Sequence, residues 1–186
     1  MRITGGEFGG RNLKVPKTDE IRPTQDRVRE ALFNIIQFEV PGCDFLDLFA
    51  GSGAVGLEAL SRGAKSVTFV ERSRLHLAVL RENLATLCPP GATASASVIA
   101  ADAYRYLSTY AGAGFSIAFA DPPYALGEEK GYAQVLATLR ERNVVRAGGL
   151  FIAEMTAVQR AEETPGWDLV RDRTYGKTRL CLWRRT

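Results

Sequence analysis

Short apolar runs alternate with helical segments along most of this sequence, and no other feature constrains the fold as strongly. The runs are continuously apolar, which is typical of parallel strands buried on both faces. Strands separated by helices predict an α/β fold: a mostly parallel, seven-stranded sheet with helices on both faces and a C-terminal antiparallel strand pair. The predicted strands are Cys43–Phe49, Ser66–Glu71, Ser97–Ala101, Phe115–Ala120, Leu150–Met155, Trp167–Thr174 and Thr178–Arg184. The predicted helices between them are Ala54–Arg62, Ser73–Leu87, Ala103–Tyr110 and Tyr132–Arg142.

The chain is predicted to form a single domain over residues 1–186, because that length suits one sizeable core and no linker interrupts the pattern. Residues 1–20 are predicted to be a basic, hairpin-like N-terminal extension, since their paired glycines favour turns. Residues 21–186 are the predicted core. They begin with a helix that Thr24 caps and Pro41-Gly42 ends.

The net charge of +3 is unevenly distributed along the chain. Residues 1–17 and 170–186 carry net charges of +3 and +5, which leaves −5 for the residues between them. If both basic ends lie on one face, they predict a polyanionic partner such as nucleic acid, with Lys177 and Arg179 as candidate contacts. A solvated surface without a partner is the alternative.

The sequence argues against a membrane protein, a disulfide-stabilised protein and a metalloprotein. No apolar run approaches the roughly 20 residues that cross a bilayer, and the N-terminus lacks the apolar region of a signal peptide. Cys43, Cys88 and Cys181 form no Cys-x-x-Cys pair, which favours reduced thiols and a cytoplasmic location. His76 is the single histidine, and so sparse a ligand set argues against a metal. Nothing in the sequence requires more than a monomer.

A glycine-rich turn joins the first predicted strand to its helix. Gly51, Gly53 and Gly56 follow Asp47 with the spacing G-x-G-x-x-G, and Glu71 ends the second strand, twenty positions after Gly51. Such glycines let the backbone approach a ligand, and an acid at that strand end can accept hydrogen bonds from both ribose hydroxyls. The pattern fits NAD and S-adenosylmethionine alike, and a tight turn without a ligand is the alternative.

Asp102 follows the third predicted strand. In an open α/β sheet this position faces the crevice beyond the strand ends, where ligands bind. Its carboxylate can accept a hydrogen bond from an adenine amino group, or it can cap the helix that follows. The sequence leaves both roles open.

The segment Asp121-Pro122-Pro123-Tyr124 follows the fourth predicted strand and favours methylation of an exocyclic amine. The lone pair of guanine N2 or adenine N6 is delocalised into the ring and is poorly nucleophilic. The Asp121 carboxylate and the Pro122 carbonyl can accept both amine hydrogens, so that the lone pair localises toward a methyl sulfonium. Tyr124 can stack on a base that has left its own stack. This chemistry selects S-adenosylmethionine over NAD, and an acidic β–α turn without a catalytic role is the alternative.

These motifs resemble those of the class I, S-adenosylmethionine-dependent methyltransferases of the (Asp/Asn)-Pro-Pro-Tyr group. The segments Arg22 to Asn34, Asp47 to Ala64 and Asp121 to Tyr124 together resemble the bacterial RsmD family more closely, and the resemblance covers nearly the whole chain. It implies a Rossmann-like class I methyltransferase fold. It also implies direct SN2 methylation of the exocyclic N2 of a guanine in small-subunit (16S) ribosomal RNA, with that RNA or an assembling 30S particle as partner.

The resemblance implies a role for each candidate site residue. Five residues would hold the cofactor. Asp47, Gly51 and Gly53 would contact its methionine part, Glu71 its ribose and Asp102 its adenine. Three residues would act on the target base: Asp121, Pro122 and Tyr124. Three residues of the segment that would close over the cofactor would meet RNA: Arg22, Arg27 and Arg29. All three arginines are expected near the start of the first helix or on its open face.

Other functions stay open at this point. An adenine-N6 methyltransferase acting on DNA or RNA uses the same tetrapeptide, although DNA enzymes of this kind usually need a recognition domain that no insertion here could supply. A protein-glutamine methyltransferase is expected to carry asparagine at position 121. A non-catalytic RNA-binding module is disfavoured by the intact acids Glu71 and Asp121. An NAD-dependent oxidoreductase is the last alternative, which a comparison of NAD and S-adenosylmethionine binding would separate.

Overall fold

The computed structural model of the protein describes residues 1–16, 23–88, 95–122, 132–161 and 163–186, with the backbone alone at residues 23–25. The helices within these ranges are α1 (Pro23–Ile35), α2 (Ala54–Ser61), α3 (Arg74–Leu87), α4 (Ala103–Thr109) and α5 (Tyr132–Glu141). The strands are β1 (Asp44–Leu48), β2 (Ser66–Glu71), β3 (Ser95–Ala100), β4 (Phe115–Ala120), β5 (Val145–Thr156), β6 (Trp167–Tyr175) and β7 (Thr178–Arg185). No helix in the described ranges is both long and apolar enough to cross a membrane.

The strands form one seven-stranded mixed sheet with the order β3-β2-β1-β4-β5-β7-β6. Strands β1, β2 and β3 pair in parallel, as do β4 and β5. Strand β7 is antiparallel to both of its neighbours, β5 and β6. The continuously apolar runs explain this arrangement, since all six residues of β4 are buried. The predicted α/β fold class, with its C-terminal antiparallel pair, is therefore confirmed.

The chain divides into two compact units, Met1–Asp102 and Ala103–Thr186. The first unit contains β1 to β3 and α1 to α3, and Phe33 of α1 stacks on Phe45 of β1 with ring centroids 6.4 Å apart. The second contains β4 to β7 with α4 and α5, and its core is a cluster of stacked aromatic rings from β5, β7 and α5. The organisation as a single domain stays a prediction.

The first residues form a hairpin that belongs to the core of the first unit. Arg2 and Asn12 form an antiparallel bridge between its two arms. Ile3, Phe8 and Leu13 are all buried. The predicted hairpin is therefore confirmed within residues 1–16, whereas residues 17–20 of the predicted extension lie outside the described residues. Its apolar side chains hold it on the first unit rather than leaving it as a free basic flap.

The hairpin approaches α2 most closely at Ser61. The backbone N–H of Glu7 donates to the Ser61 carbonyl oxygen at 2.7 Å, and that of Phe8 donates to the Ser61 hydroxyl at 2.8 Å. The same hydroxyl donates to the Gly5 carbonyl at 2.6 Å. A Cβ added at Gly6 would lie 1.9 Å from the Ser61 carbonyl oxygen, so a larger residue there would push the hairpin off α2.

Both predicted ends of the first helix are wrong. Helix α1 begins at Pro23, so Thr24 lies in its first turn and does not cap it. Proline suits the first helical position because its φ is already helical and because an N–H at that position would have no acceptor within the helix. The helix ends at Ile35 and turns occupy the residues up to Pro41-Gly42, so the break at those two residues follows the true helix end by six positions.

Strand β5 starts at Val145, five residues before the predicted Leu150. Its register against β4 shifts, because Phe115 pairs with Val145 whereas Ile117 pairs with Leu150. The four residues between them bulge out of the ladder, and Gly148 has a φ of 74° there. The remaining element boundaries differ from the prediction by no more than two residues.

Candidate active site

The turn between β1 and α2 adopts left-handed backbone conformations at three positions. Phe49, Gly51 and Gly53 have φ angles of 59°, 55° and 86°. A non-glycine residue with positive φ is uncommon and stores about 1–3 kcal/mol of strain, which is typical of functional sites. Gly53 is the N-cap of α2, and its N–H donates to the Ala50 carbonyl at 2.8 Å. The chain therefore reverses tightly just beyond the end of β1.

The three glycines of the G-x-G-x-x-G pattern have different roles in this turn. A Cβ at Gly53 would lie 2.3 Å from Leu80, and one at Gly56 would lie 2.3 Å from Phe69, so both glycines permit close packing. A Cβ at Gly51 would meet nothing within 4 Å. Gly51 is therefore the glycine at which open space adjoins the backbone, as an approaching ligand requires.

Asp47 fixes the start of α2. It is only 2% exposed, and its Oδ2 accepts a hydrogen bond from the Gly56 N–H at 2.8 Å. That N–H is one of the amides that a helix leaves unsatisfied at its N-terminus, where negative charge is favoured. The structure thus ties Asp47 to the turn itself. Its contact with a cofactor stays a prediction.

Glu71 lies at the end of β2 and its carboxylate is held by the backbone. Oε2 accepts a hydrogen bond from the Gly51 N–H at 2.9 Å. Oε1 accepts from the N–H groups of Arg72 at 2.8 Å and Ser73 at 2.7 Å. The His76 ring lies 3.9 Å away through Nδ1. The acid and the glycine turn that sequence spacing predicted to act together are therefore joined by a direct hydrogen bond.

Asp102 follows β3 in the same unit, and its side chain is 37% exposed. Its Oδ2 lies 3.5 Å from Nη1 of Arg72. The preceding residue, Ala101, donates its N–H to the Glu71 carbonyl at 3.1 Å, so the ends of β2 and β3 are held together. Asp102 therefore lies beside the Glu71 strand end and is accessible to solvent, and its contact with a cofactor stays a prediction.

The residues at these three strand ends fit a nucleoside-containing cofactor. Strands β1, β2 and β3 are neighbours and parallel, so their carboxyl ends share one edge. That edge presents the open face of Gly51 and two carboxylates, Glu71 and Asp102. Carboxylate oxygens accept hydrogen bonds from hydroxyl and amino groups, which ribose and adenine supply. No group of three or more potential metal ligands occurs among the described residues.

Asp121 directly follows β4 in the second unit. The residue is solvent-exposed, whereas its carboxyl group has a dense surrounding of protein atoms, and this burial raises the pKa of Asp121 to about 7. The raised pKa keeps the carboxyl partly protonated near neutral pH. Pro122 is buried, which anchors the backbone next to Asp121. Pro123 and Tyr124 lie outside the described residues.

Tyr132, the first residue of α5, is a neighbour of Asp121 that sequence reasoning did not identify. It is buried, and its hydroxyl donates to the Glu154 carbonyl at 2.9 Å. Burial raises the pKa of Tyr132, and the nearby Asp121 carboxylate raises it further. Tyr132 is thus a neutral hydrogen-bond donor to the Glu154 carbonyl of β5, close enough to Asp121 to be affected by its charge.

The three arginines predicted near α1 differ in their positions. Arg22 lies outside the described residues, and Arg27 is exposed. Arg29 is only 5% exposed, which contradicts its expected place at the start or on the open face of the helix. Its guanidinium pairs with Asp26 at 3.0 Å and Glu58 at 3.4 Å and also donates to a backbone carbonyl of the hairpin. The ion pairs explain the burial, because a charge taken out of water needs partners.

The two basic residues predicted in the C-terminal hairpin also differ. Lys177 is exposed in the turn between β6 and β7. Arg179 forms a fork-to-fork pair with Asp172, in which Nε donates to Oδ1 at 2.7 Å, and its third donor group binds the Gln159 carbonyl. The hydrogen bond from Arg179 lowers the pKa of Asp172. Arg179 therefore braces β6 against β7, whereas Lys177 is available to solvent.

Sequence reasoning missed two buried polar residues, Glu58 of α2 and Asn83 of α3. Glu58 is 0% exposed, and its carboxylate accepts hydrogen bonds from Thr4 and Arg62. Asn83 is 3% exposed, and its side-chain amide bonds to the backbone of Ser52 and Lys14. Asn83 interrupts an otherwise apolar buried face of α3, and Glu58 lies in a mostly apolar buried stretch of α2. A polar residue in such a position is a signal that can be read from sequence.

The chain is similar to known proteins over nearly its whole length. A family model described as conserved hypothetical protein 95 matches residues 1–184. YlbH of Bacillus subtilis (strain 168) is 38% identical over 189 residues, covering 100% of this chain and 99% of that protein. Ribosomal RNA small subunit methyltransferase D of Escherichia coli (strain K12) is 37% identical over 187 residues, covering 100% of this chain and 90% of that protein. The solved structure of yhhF from Escherichia coli is similar with a TM-score of 0.85 at 36% identity, covering 100% of this chain and 97% of that one.

Proposed function

The chain belongs to the conserved hypothetical protein 95 family, the RsmD family of methyltransferases, and from that premise we propose that it methylates the exocyclic N2 of a guanine in small-subunit ribosomal RNA. S-adenosylmethionine is the proposed methyl donor. The observation that carries the proposal is the hydrogen bond between Glu71 and Gly51 at the edge of β1 to β3. It supports a ribose site at Glu71, in a chain that also carries the Asp-Pro-Pro-Tyr segment to which we assign amine binding.

The cofactor is proposed to bind at the strand ends of the first unit. A carboxylate offers about four acceptor sites, and backbone N–H groups occupy three of those on Glu71. One site therefore remains on Oε2 for a ribose hydroxyl, which reduces the expected pair of ribose contacts to one. Asp102 is assigned to the adenine amino group, and Gly51 and Gly53 to the methionine part. Asp47 contributes by fixing the turn that presents those glycines.

When bound, S-adenosylmethionine supplies an electrophilic methyl group on a sulfonium. The residues of the Asp-Pro-Pro-Tyr segment then have to prepare the amine. We assign to the Asp121 carboxylate and the Pro122 carbonyl the two hydrogen bonds from guanine N2, which withdraw its lone pair from the ring and direct it outward. Positive charge develops on that nitrogen during displacement, and the Asp121 carboxylate stabilises it. Tyr124 is assigned to stacking on the extruded base.

The proposed RNA contacts are exposed basic residues rather than the paired ones. Arg27 and Lys177 present charge to solvent, so we assign both to phosphate contacts, and Arg22 stays in that group by its resemblance to the family. Arg29 and Arg179 are assigned to bracing the structure around them, because their guanidinium groups are already bonded. The proposed substrate is small-subunit RNA or an assembling 30S particle. A reaction on such a substrate belongs in the cytoplasm, and a monomer suffices for it.

Transfer of labelled methyl from S-adenosylmethionine to small-subunit RNA and 30S particles tests the proposal. We expect Asp121→Ala to bind S-adenosylmethionine normally and to lose about 100-fold or more in transfer, since the residue acts on the base and not on the cofactor. Asp168→Ala removes an exposed aspartate of the same unit and should leave transfer unchanged. Near-normal turnover of Asp121→Ala would remove the assigned role of that residue. No transfer by the unmodified protein to either substrate would refute the function.

Adenine N6 of DNA or RNA is the second candidate target, because the same tetrapeptide can hold its amino group. Guanine N2 is preferred on the family relationship, which covers the full chain. The two targets give different methylated nucleosides, so the same labelled product distinguishes them.

A further inference from the structure

Asn83 connects the glycine turn of the proposed cofactor site to the N-terminal hairpin. Its Nδ2 donates to the Ser52 carbonyl at 2.9 Å and to the Lys14 carbonyl at 3.0 Å. Its Oδ1 accepts from the Lys14 N–H at 2.9 Å. Both amide hydrogens and the carbonyl oxygen are therefore bonded, in a residue that is 3% exposed. Such a fully satisfied buried amide fixes the relative position of the two segments it bonds.

The two segments that Asn83 bonds have different proposed roles. Ser52 lies between Gly51 and Gly53, the two glycines assigned to the cofactor, and is itself buried. Lys14 lies at the end of the hairpin, eight positions before Arg22, where the segment assigned to RNA begins. The amide bonds both backbone groups of Lys14, much as a neighbouring strand would. The position of Lys14 therefore depends on the position of the Ser52 carbonyl.

The rest of the hairpin is anchored without Asn83. Thr4 bonds to Glu58 through its N–H and its hydroxyl, both at 2.7 Å. Ser61 holds the hairpin tip through backbone and side-chain hydrogen bonds. Loss of the Asn83 amide should consequently loosen the Lys14 end alone, and the hairpin should stay on α2.

We propose that Asn83 is a positioning residue that couples occupancy of the glycine turn by S-adenosylmethionine to the ordering of Lys14 at the end of the N-terminal hairpin. The inference rests on the proposed function, since it requires the cofactor at Gly51 and Gly53. A ligand that fixes the Ser52 carbonyl strengthens the Asn83 bonds, and these hold Lys14. Coupling of this kind is reciprocal, so that order at Lys14 must tighten cofactor binding by the same factor.

The test combines calorimetric binding of S-adenosylmethionine with hydrogen exchange of the Lys14 backbone amide, measured with and without the ligand. Asn83→Asp keeps the acceptor oxygen and removes both donors, and Asn83→Ala serves if the introduced charge prevents folding. Glu82→Ala is the matched control, because it removes the exposed ion pair between Glu82 and Nζ of Lys14 at 2.9 Å and leaves the amide in place.

In the unmodified protein we expect S-adenosylmethionine to slow Lys14 exchange about fivefold or more. Asn83→Asp should weaken ligand binding about fivefold and abolish the ligand-dependent part of the protection, whereas Glu82→Ala should change neither more than about twofold. A purely structural role would speed Lys14 exchange equally with and without ligand, and that result overturns the coupling. Unchanged ligand affinity in both Asn83 variants overturns it as well. If the unmodified protein binds no S-adenosylmethionine, the proposed function fails instead.

Discussion

Replacing Glu58 with alanine should destabilise the protein by about 3–5 kcal/mol, because it removes one side of a buried charge cluster. The Glu58 carboxylate is 0% exposed and accepts hydrogen bonds from the Thr4 N–H and hydroxyl at 2.7 Å and from Arg62 Nε at 2.8 Å. Arg29 lies 3.4 Å from it, with a side chain that is 4% exposed. The variant leaves the Arg29 charge with Asp26 alone and leaves the Thr4 N–H without its acceptor.

The expected loss of stability is the cost of breaking one buried ion pair, not the sum of the separate hydrogen bonds. Hydrogen bonds to charged groups contribute about 1.5–3 kcal/mol each, but groups that share one carboxylate are not additive. For a chain of this length, 3–5 kcal/mol corresponds to a fall in Tm of roughly 6–20 °C.

Urea denaturation followed by circular dichroism measures this loss directly. Glu82→Ala is the matched control, since Glu82 also pairs with the N-terminal segment but is 57% exposed in its side chain. An exposed pair contributes about 0–1 kcal/mol, so the control should lose no more than that. If Glu58→Ala cost as little as Glu82→Ala, the cluster would not hold the hairpin and the reasoning from burial would be wrong.

Three further predictions concern the site. The raised pKa of Asp121 implies that kcat/KM rises with pH as the carboxyl ionises near pH 7, and that it falls about tenfold for each pH unit below that value. The residual activity of Asp121→Asn should not show this rise. A rise centred near pH 4 in the unmodified protein would contradict the role assigned to Asp121. Gly51→Ala and Gly176→Ala place alanine at φ angles of 55° and 60° in open space, so each should lower the free energy of unfolding by about 1–2 kcal/mol. Calorimetry should show weaker S-adenosylmethionine binding for Gly51→Ala but not for Gly176→Ala. In a filter-binding titration, Lys177→Glu should weaken RNA binding and reduce the slope of log K against log salt concentration by about 0.7–0.9. Lys65 is an exposed lysine before β2, and Lys65→Glu should bind RNA as the unmodified protein does. Equal slopes for the two variants would show that Lys177 does not contact RNA.

The sheet could be predicted from sequence because buried apolar runs such as β4 alternate with helical segments, and because a tight turn joins the less apolar β6 to β7. The start of β5 could not, since Gly148 interrupts the pattern where the strand bulges and then resumes its pairing with β4. The end of α1 was misplaced because a proline and a glycine mark where a helix cannot continue, not where its hydrogen bonds stop. Local signals thus gave the elements, and tertiary pairing moved their boundaries.

The joined position of Glu71 and Gly51 was predictable because a parallel β–α–β unit brings a strand end back beside the preceding turn. The positions of Arg29 and Arg179 were not. The first pairs with Glu58, twenty-nine positions away, and the second with Asp172 across a hairpin, and neither pairing leaves a mark in the sequence around the arginine. Exposure of a basic residue depends on such partners, so a charge count locates a basic region without identifying its free cations.

We infer that this methyltransferase modifies the exocyclic N2 of a guanine in small-subunit ribosomal RNA. The most direct measurement is digestion of small-subunit RNA and 30S particles after reaction with labelled S-adenosylmethionine, followed by chromatography and mass spectrometry of the nucleosides. N2-methylguanosine as the labelled product, at one position in the RNA, is the predicted result. N6-methyladenosine, or label in any nucleoside other than N2-methylguanosine, would refute guanine N2 as the target.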